Sequence, residues 1–108
     1  EQDAPAADRV KRWLASKSLE TRPTMETIAR DLGMSARSLR RRLHEEQAPY
    51  DDLVEDARAM RAKSLLSDPR HSVQETAYAL GFGTPAAFSR AFKRWTGMAP
   101  SAYRAAEP

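Results

Sequence analysis

The sequence predicts an all-α fold of about seven helices, and three observations predict it. Strand formers are scarce: three valines and one isoleucine are spread through 108 residues, and no stretch alternates β-branched or aromatic side chains with polar ones. Apolar residues recur instead at three- and four-residue spacing along most of the chain, the period of a helix with one buried face. The prolines fall between these periodic segments rather than inside them, where each would break a helix.

The elements follow in order. Residues 1–7, with Pro5, are expected to be a linker remnant, and the folded domain to run over 8–106. Asp8 is suited to cap a first helix on which Val10, Trp13 and Leu14 form an apolar stripe, fraying near Ser18. Pro23 punctuates. Thr24 caps a short second helix with Met25, Ile28, Ala29 and Leu32 on one face, and Gly33 ends it. Ser35 caps a third helix carrying Leu39 and Leu43, which stops before Pro49 because a residue preceding proline avoids the helical region. A long fourth helix covers about 50–67 and presents Leu53, Val54, Ala57, Met60, Ser64 and Leu65 on one side. Asp51, Asp52, Glu55 and Asp56 sit in its first turns, where the helix dipole favours acids, and Asp68-Pro69 closes it. Ser72 caps a fifth helix with Val73, Ala77 and Leu80 in register, ended by Gly81. Thr84-Pro85, an N-cap followed by proline at the first helical position, opens a sixth helix built on Phe88, Phe92 and Trp95 and ended by Gly97. Ala99-Pro100 starts a last short helix whose Tyr103 packs inward.

An internal repeat organises these elements. At an offset of 48, Met25 falls on Val73, Ala29 on Ala77, Leu32 on Leu80, Gly33 on Gly81 and Met34 on Phe82. Past the glycine the offset becomes 49, so that Ser35 meets Thr84, Leu39 meets Phe88, Arg41 meets Arg90 and Leu43 meets Phe92; Gly83 is the extra residue. Each copy has the spacing of a helix-turn-helix: a small residue where two helices cross closely, a glycine four positions on for a positive φ, and apolar side chains on both helices to fix the angle. The predicted architecture is therefore two helix-turn-helix units, over about 24–46 and 72–96, joined by a long linker helix.

Composition excludes several classes of function. With 31% charged and 41% hydrophobic residues the chain belongs with soluble globular domains, and no apolar run approaches the roughly 18 residues of a membrane span. Zero cysteines remove disulfide frameworks, thiolate catalysis and the usual zinc fingers. His44 and His71 lie 27 positions apart, so no metal site is expected, and no cofactor either. Asp51/Asp52 and Glu55/Asp56 are explained by the dipole better than by acid–base work, which needs a shaped pocket and opposed pKa values. Gly81-Phe82-Gly83 is too short for a dinucleotide fingerprint and follows no strand. Catalysis is not expected. The chain lacks an initiator Met and a signal pattern, and is expected to be a fragment of something longer.

The net charge of +3 is modest, but its distribution is not even. Between Ser35 and His44 there are four arginines and no acid, whereas the next twelve residues hold six acids and no base. An ordinary solvated face would mix signs at i,i+4 positions. Counting about 100° per residue from the Leu39/Leu43 seam, Arg41 points almost directly outward, with Arg37, Ser38 and His44 beside it and Arg40 and Arg42 on the flanks. On the sixth helix Arg90 lies opposite the Phe88/Phe92 seam, flanked by Ala86, Ala87, Lys93 and Arg94, with no acid between Thr84 and Trp95. Two basic helices, each second in a helix-turn-helix, suit the major groove of double-stranded DNA, where arginine pairs with guanine O6 and N7 while Lys, Ser and Thr hold phosphates. Arg40 and Arg42 suit a phosphate or an acid of the fourth helix as well as a base edge. Trp13 and Trp95 are expected in the core, and His44 at the surface.

Leu80-Gly81-Phe82, followed by Phe88-Ser89-Arg90-Ala91-Phe92-Lys93-Arg94-Trp95-Thr96-Gly97-Met98-Ala99-Pro100-Ser101-Ala102-Tyr103-Arg104, closely resembles the signature of AraC/XylS-type bacterial transcription regulators. With the first unit from Ile28 to Leu43, the resemblance covers roughly residues 8–106. It implies sequence-specific binding near promoters, an activator's contact with RNA polymerase, an effector-sensing domain elsewhere in the full-length chain, and a cytoplasmic, nucleoid-associated location without a membrane; because the two basic helices differ in sequence, the site is expected to be asymmetric. By position it implies base reading by Arg37, Arg40, Arg41, Ala86, Ser89 and Arg90. Backbone contacts then fall to Ser35, Ser38, Arg42, Thr84, Lys93 and Arg94. Arg42 stands where such proteins usually carry an apolar residue, and Ala86 and Ala87 are smaller than the polar residues often found there. A linker helix of about 18 residues is roughly 27 Å long, against ~34 Å per turn of DNA, so both helices can enter successive major grooves. The same arginines would also serve a helical protein-interaction module or a non-specific nucleic-acid binder.

Overall fold

The fold is all-α. The computed structural model describes residues 4–106, which form α1 (Ala6–Ala15), α2 (Met25–Asp31), α3 (Ala36–Glu45), α4 (Tyr50–Leu66), α5 (Val73–Ala79), α6 (Pro85–Thr96) and α7 (Pro100–Ala106). None of these helices is long and apolar enough to cross a membrane. The chain divides into two units: the first holds the residues up to Lys17 and Arg22–Ala57, the second Ser18–Thr21 and the residues from Arg58 on. The fourth helix is shared between them.

In the first unit Ala6, Val10, Leu14, Ile28, Ala29, Leu39, Leu43, Leu53 and Val54 are buried. Trp13, expected in the core, is half-buried at its edge, where its indole N–H donates to Asp31 Oδ2 at 2.7 Å and Lys17 Nζ lies 4.9 Å from its ring centre. The first helix begins at Ala6, two residues before the expected cap Asp8, so Ala6 and Ala7 of the expected linker are helical; residues 1–3 lie outside the described residues. The reason is a cap supplied from far along the chain. The Pro5 side chain carries no acceptor, and the Glu46 carboxylate accepts from the Ala6 and Ala7 N–H groups at 2.7 and 2.8 Å. A carboxylate there satisfies two orphan donors and meets the positive end of the dipole. Glu46 is delivered by a left-handed Gln47 (φ 57), after which Ala48 N–H donates to the Leu43 carbonyl and Gln47 N–H to that of His44. This is a Schellman ending made without glycine.

The second unit buries Leu19, Ala62, Leu66, Thr76, Ala77, Leu80, Phe88, Ala91, Phe92 and Pro100. Phe88 and Phe92 lie 5.7 Å apart between ring centres, and Tyr103 of α7 packs inward as expected, its ring edge-on to Phe92 at 5.4 Å. Such pairs add about 0.5–1.5 kcal/mol beyond area burial. Trp95, expected in the core, is half-buried and 6.2 Å from Phe82. Arg104 gathers three carbonyls, donating to those of Leu66, Asp68 and His71, and so joins the end of α4 to the segment before α5.

The face expected of the fourth helix needs correction. Met60 is 70% exposed and Ser64 is exposed, while Ala62 and Leu66 are buried. The inward row runs Val54, Arg58, Ala62, Leu66 at four-residue steps, and Arg58 keeps its place in it by laying its guanidinium 4.8 Å from the Phe82 ring centre and donating to the Leu80 carbonyl. An arginine can fill an apolar row with its stem and ring-stacked head.

Candidate nucleic-acid interface

Both helical pairs are built by the same local chemistry. Thr24 Oγ1 accepts from Thr27 N–H to start α2, and Ser72 forms a reciprocal capping box with Glu75 to start α5. Each first helix ends in a Schellman motif on its repeated glycine: Met34 N–H donates to the Ala29 carbonyl and Gly33 N–H to Arg30, as Phe82 does to Ala77 and Gly81 to Tyr78. Ala29 and Ala77 thus serve twice, as buried small residues and as the carbonyls that close the turn. Gly33 (φ 77) and Gly81 (φ 82) both take the left-handed conformation.

The repeat extends further than its sequence signal. The Leu32 carbonyl at the end of α2 receives Arg9 of α1 at 2.8 Å, and the equivalent Leu80 carbonyl receives Arg58 of α4 at 3.1 Å. In each unit an arginine from the preceding helix satisfies a helix C-terminus with a charge of the favourable sign. Arg9 and Arg58 are 49 residues apart, whereas the repeat ahead of the turn runs at 48, so its register did not signal this pair.

These pairs present α3 and α6. Ser35 Oγ accepts from Ser38 N–H at 3.0 Å, and Thr84 Oγ1 from Ala87 N–H at 3.1 Å, so both hydroxyls act as N-caps and keep their own hydrogens to donate. Leu39 and Leu43 anchor one helix inward, Phe88 and Phe92 the other. On the opposite side of α3, Arg37, Arg40 and Arg41 are exposed; Arg41 has Glu45 at 4.0 Å, and Arg37 and Arg40 make no hydrogen bond or ion pair among the described residues. Ser38 is half-buried and His44 exposed. Arg42 turns inward, half-buried, and donates to the Ala4 carbonyl at 3.2 Å; its repeat equivalent, Ala91, is buried. On α6, Ala86, Arg90, Lys93 and Arg94 are exposed and Ala87 and Ser89 half-buried.

The acids that open α4 do not neutralise these cations. Asp51 and Glu55 are taken by Arg22 at 3.1 and 2.8 Å, and hydrogen bonding to Glu55 holds the Arg22 guanidinium above its ordinary pKa. Tyr50, beside them, donates to the Pro23 carbonyl, and burial raises its phenol. Among the described residues no three His, Asp or Glu are grouped to hold a metal ion.

Two capped helical pairs, each ending in a helix with an apolar inner seam and an exposed basic face, define a tandem helix-turn-helix domain. A family model described as a helix-turn-helix domain matches residues 28–106. The ornithine utilization regulator of Pseudomonas aeruginosa is 39% identical over 98 residues, which cover 91% of this chain and 29% of that protein. A DNA-binding transcriptional dual regulator from Escherichia coli K-12 has the same fold, with a TM-score of 0.86 at 26% identity over 97% of this chain and 94% of the other. The DNA-binding domain of the global transcriptional factor AdpA, solved in complex with a target DNA, gives a TM-score of 0.71 at 32% identity over 96% of this chain and 93% of its own. The chain belongs to the AraC/XylS family of helix-turn-helix transcription regulators. It spans 24% to 30% of the length of the curated relatives it matches.

Proposed function

We propose that this domain binds double-stranded DNA sequence-specifically, placing α3 and α6 in successive major grooves of one asymmetric site. The observation that carries the reading is the pair of exposed, acid-poor basic faces on the second helices of two differing helix-turn-helix units, with α3's arginines left unpaired by the acids of α4. The DNA complex of the AdpA domain, similar along nearly the whole chain, supports it. Arg37, Arg40 and Arg41 read bases from α3, and Ala86, Ser89 and Arg90 from α6. Ser35, Ser38, Thr84, Lys93 and Arg94 hold the sugar–phosphate backbone. Arg42 has the separate task of anchoring residue 4. Recruitment of RNA polymerase and an effector-sensing domain in the full-length protein complete the proposal, with a bacterial cytoplasmic location and no catalytic step of the domain's own.

Selection from random duplexes, followed by gel shifts against the selected and a scrambled duplex, tests the reading. The expected result is strong preference for the selected duplex and a footprint over two adjacent major grooves. Equal affinity for both duplexes would leave a non-specific or protein-binding role, and protection of a single groove would remove the two-helix mode.

A further inference from the structure

The repeat permits a position-by-position comparison of the two reading helices, and they are chemically unlike. At the three aligned outward positions α3 carries Arg37, Arg40 and Arg41, all exposed, where α6 carries Ala86, Ser89 and Arg90. Of the latter three, one side chain can form the paired hydrogen bonds that identify guanine through O6 and N7; alanine offers only a methyl surface, complementary to the thymine C5-methyl. Ser89 is half-buried and short. Towards the C-termini the contrast reverses: His44 and Glu45 on α3 stand against Lys93 and Arg94 on α6. In a helix-turn-helix the N-terminal residues of the second helix meet the base edges. The cations of α3 therefore lie where bases are read, and two of the three on α6 lie in its last turn. Glu45, exposed in the last turn of α3, offers phosphates no partner where α6 carries Arg94.

Resting on the reading of α3 and α6 as recognition helices, we propose that the DNA this domain selects is chemically polarised. The half facing α3 is dense in guanine and carries most of the discrimination. The half facing α6 holds one required guanine and thymines contacted through their methyl groups, and contributes affinity mainly through phosphates.

The chain has no cysteine, so His44→Cys, at an exposed position outside the reading set, accepts a single iron chelate whose cleavage marks the half lying against α3. Duplexes of the selected sequence are then made with 7-deazaguanine for guanine, or deoxyuridine for thymine, in one half at a time. In the α3 half 7-deazaguanine is expected to weaken binding about five- to a hundredfold per reading contact, with the loss disappearing at the matching position in Arg37→Ala or Arg41→Ala. In the α6 half deoxyuridine is expected to cost a few-fold, and that cost shrinks in Ala86→Gly. Lys93→Ala and Arg94→Ala should each flatten the salt dependence by about one unit without changing base preference. A selected site whose guanines lie mainly against α6, or equal losses in both halves, overturns the polarity while leaving sequence-specific binding intact. Failure to select any site overturns both.

Discussion

Gly33 and Gly81 hold the same place in the two copies of the repeat, with φ values of 77 and 82, yet alanine should cost very different amounts at each. A left-handed φ costs an L-residue roughly 1–2 kcal/mol. At Gly33 nothing else opposes the change, because a Cβ there meets no atom within 4 Å. At Gly81 the added carbon would land on the carbonyl oxygen of Glu20, with the carbonyl carbon at 3.0 Å. That neighbour is backbone, so the segment Ser18–Thr21 must shift, and this segment carries Leu19, only 3% exposed. Removing a leucine from the core forfeits about 1.5–3 kcal/mol. Gly33→Ala is therefore expected to lose about 1–2 kcal/mol, and Gly81→Ala about 2.5–5 kcal/mol when the burial loss is added. Urea unfolding followed by circular dichroism reads both, as shifts in midpoint at unchanged slope. Equal losses for the two variants would refute the argument that close approach, and not φ alone, demands glycine at 81.

Arg41→Ala and Arg90→Ala should each lose about 1–3 kcal/mol of binding to the selected duplex and relax specificity locally; unchanged discrimination in titrations against single-base variants would remove that residue from the reading set. Lys93→Ala should weaken all duplexes alike and lower the slope of log affinity against log salt by about one; a loss confined to one sequence would contradict a phosphate role. Glu46→Ala should uncap α1 at a cost of about 0.5–2 kcal/mol, with hydrogen exchange accelerated at Ala6 and Ala7; protection equal to wild type would show that the cap contributes nothing. The hydrogen bond from Arg70 holds the Asp68 carboxyl at about 2, below its ordinary 3.8. A carboxylate depressed in the folded state stabilises above its unfolded value and loses that contribution as pH falls through the folded one. Asp68→Asn should accordingly be less stable than wild type at neutral pH, with the difference shrinking as pH falls through the folded value of about 2 and gone only below it; a difference undiminished by acid would point to another cause.

What could be read from the sequence was what local chemistry determines. The starts of α2, α3, α5 and α6 and the ends of α2, α5 and α6 are set by caps and glycines within a few residues of the helix they govern, so Thr24, Ser35, Ser72, Thr84, Gly33, Gly81 and Gly97 announced them. The outward direction of Arg37, Arg41 and Arg90 followed from the buried seams of the same helices. Where partners are distant the reading failed. Asp8 was the best local cap, but Glu46 serves α1 instead. Periodicity treats arginine as outward, so Arg58 was missed from the inward row of α4 and the stripe was drawn through Met60 and Ser64. Arg42, set on the flank of α3 and at a usually apolar position, was offered to a phosphate or an acid of the fourth helix, whereas its partner in the structure is the Ala4 carbonyl, 38 residues back. Leu19, buried outside every helix at φ 65, had no periodic context to betray it.

The distant cap on α1 also bears on how the chain matures on the ribosome. Glu46 follows Ala6 by 40 residues, so the opening turn of the first helix leaves the exit tunnel long before the group that secures it. That turn must wait, its amides met only by water, until the third helix has been synthesised and its end has turned through Gln47. A translational pause ahead of Glu46 would therefore hold the first turn of α1 without its cap.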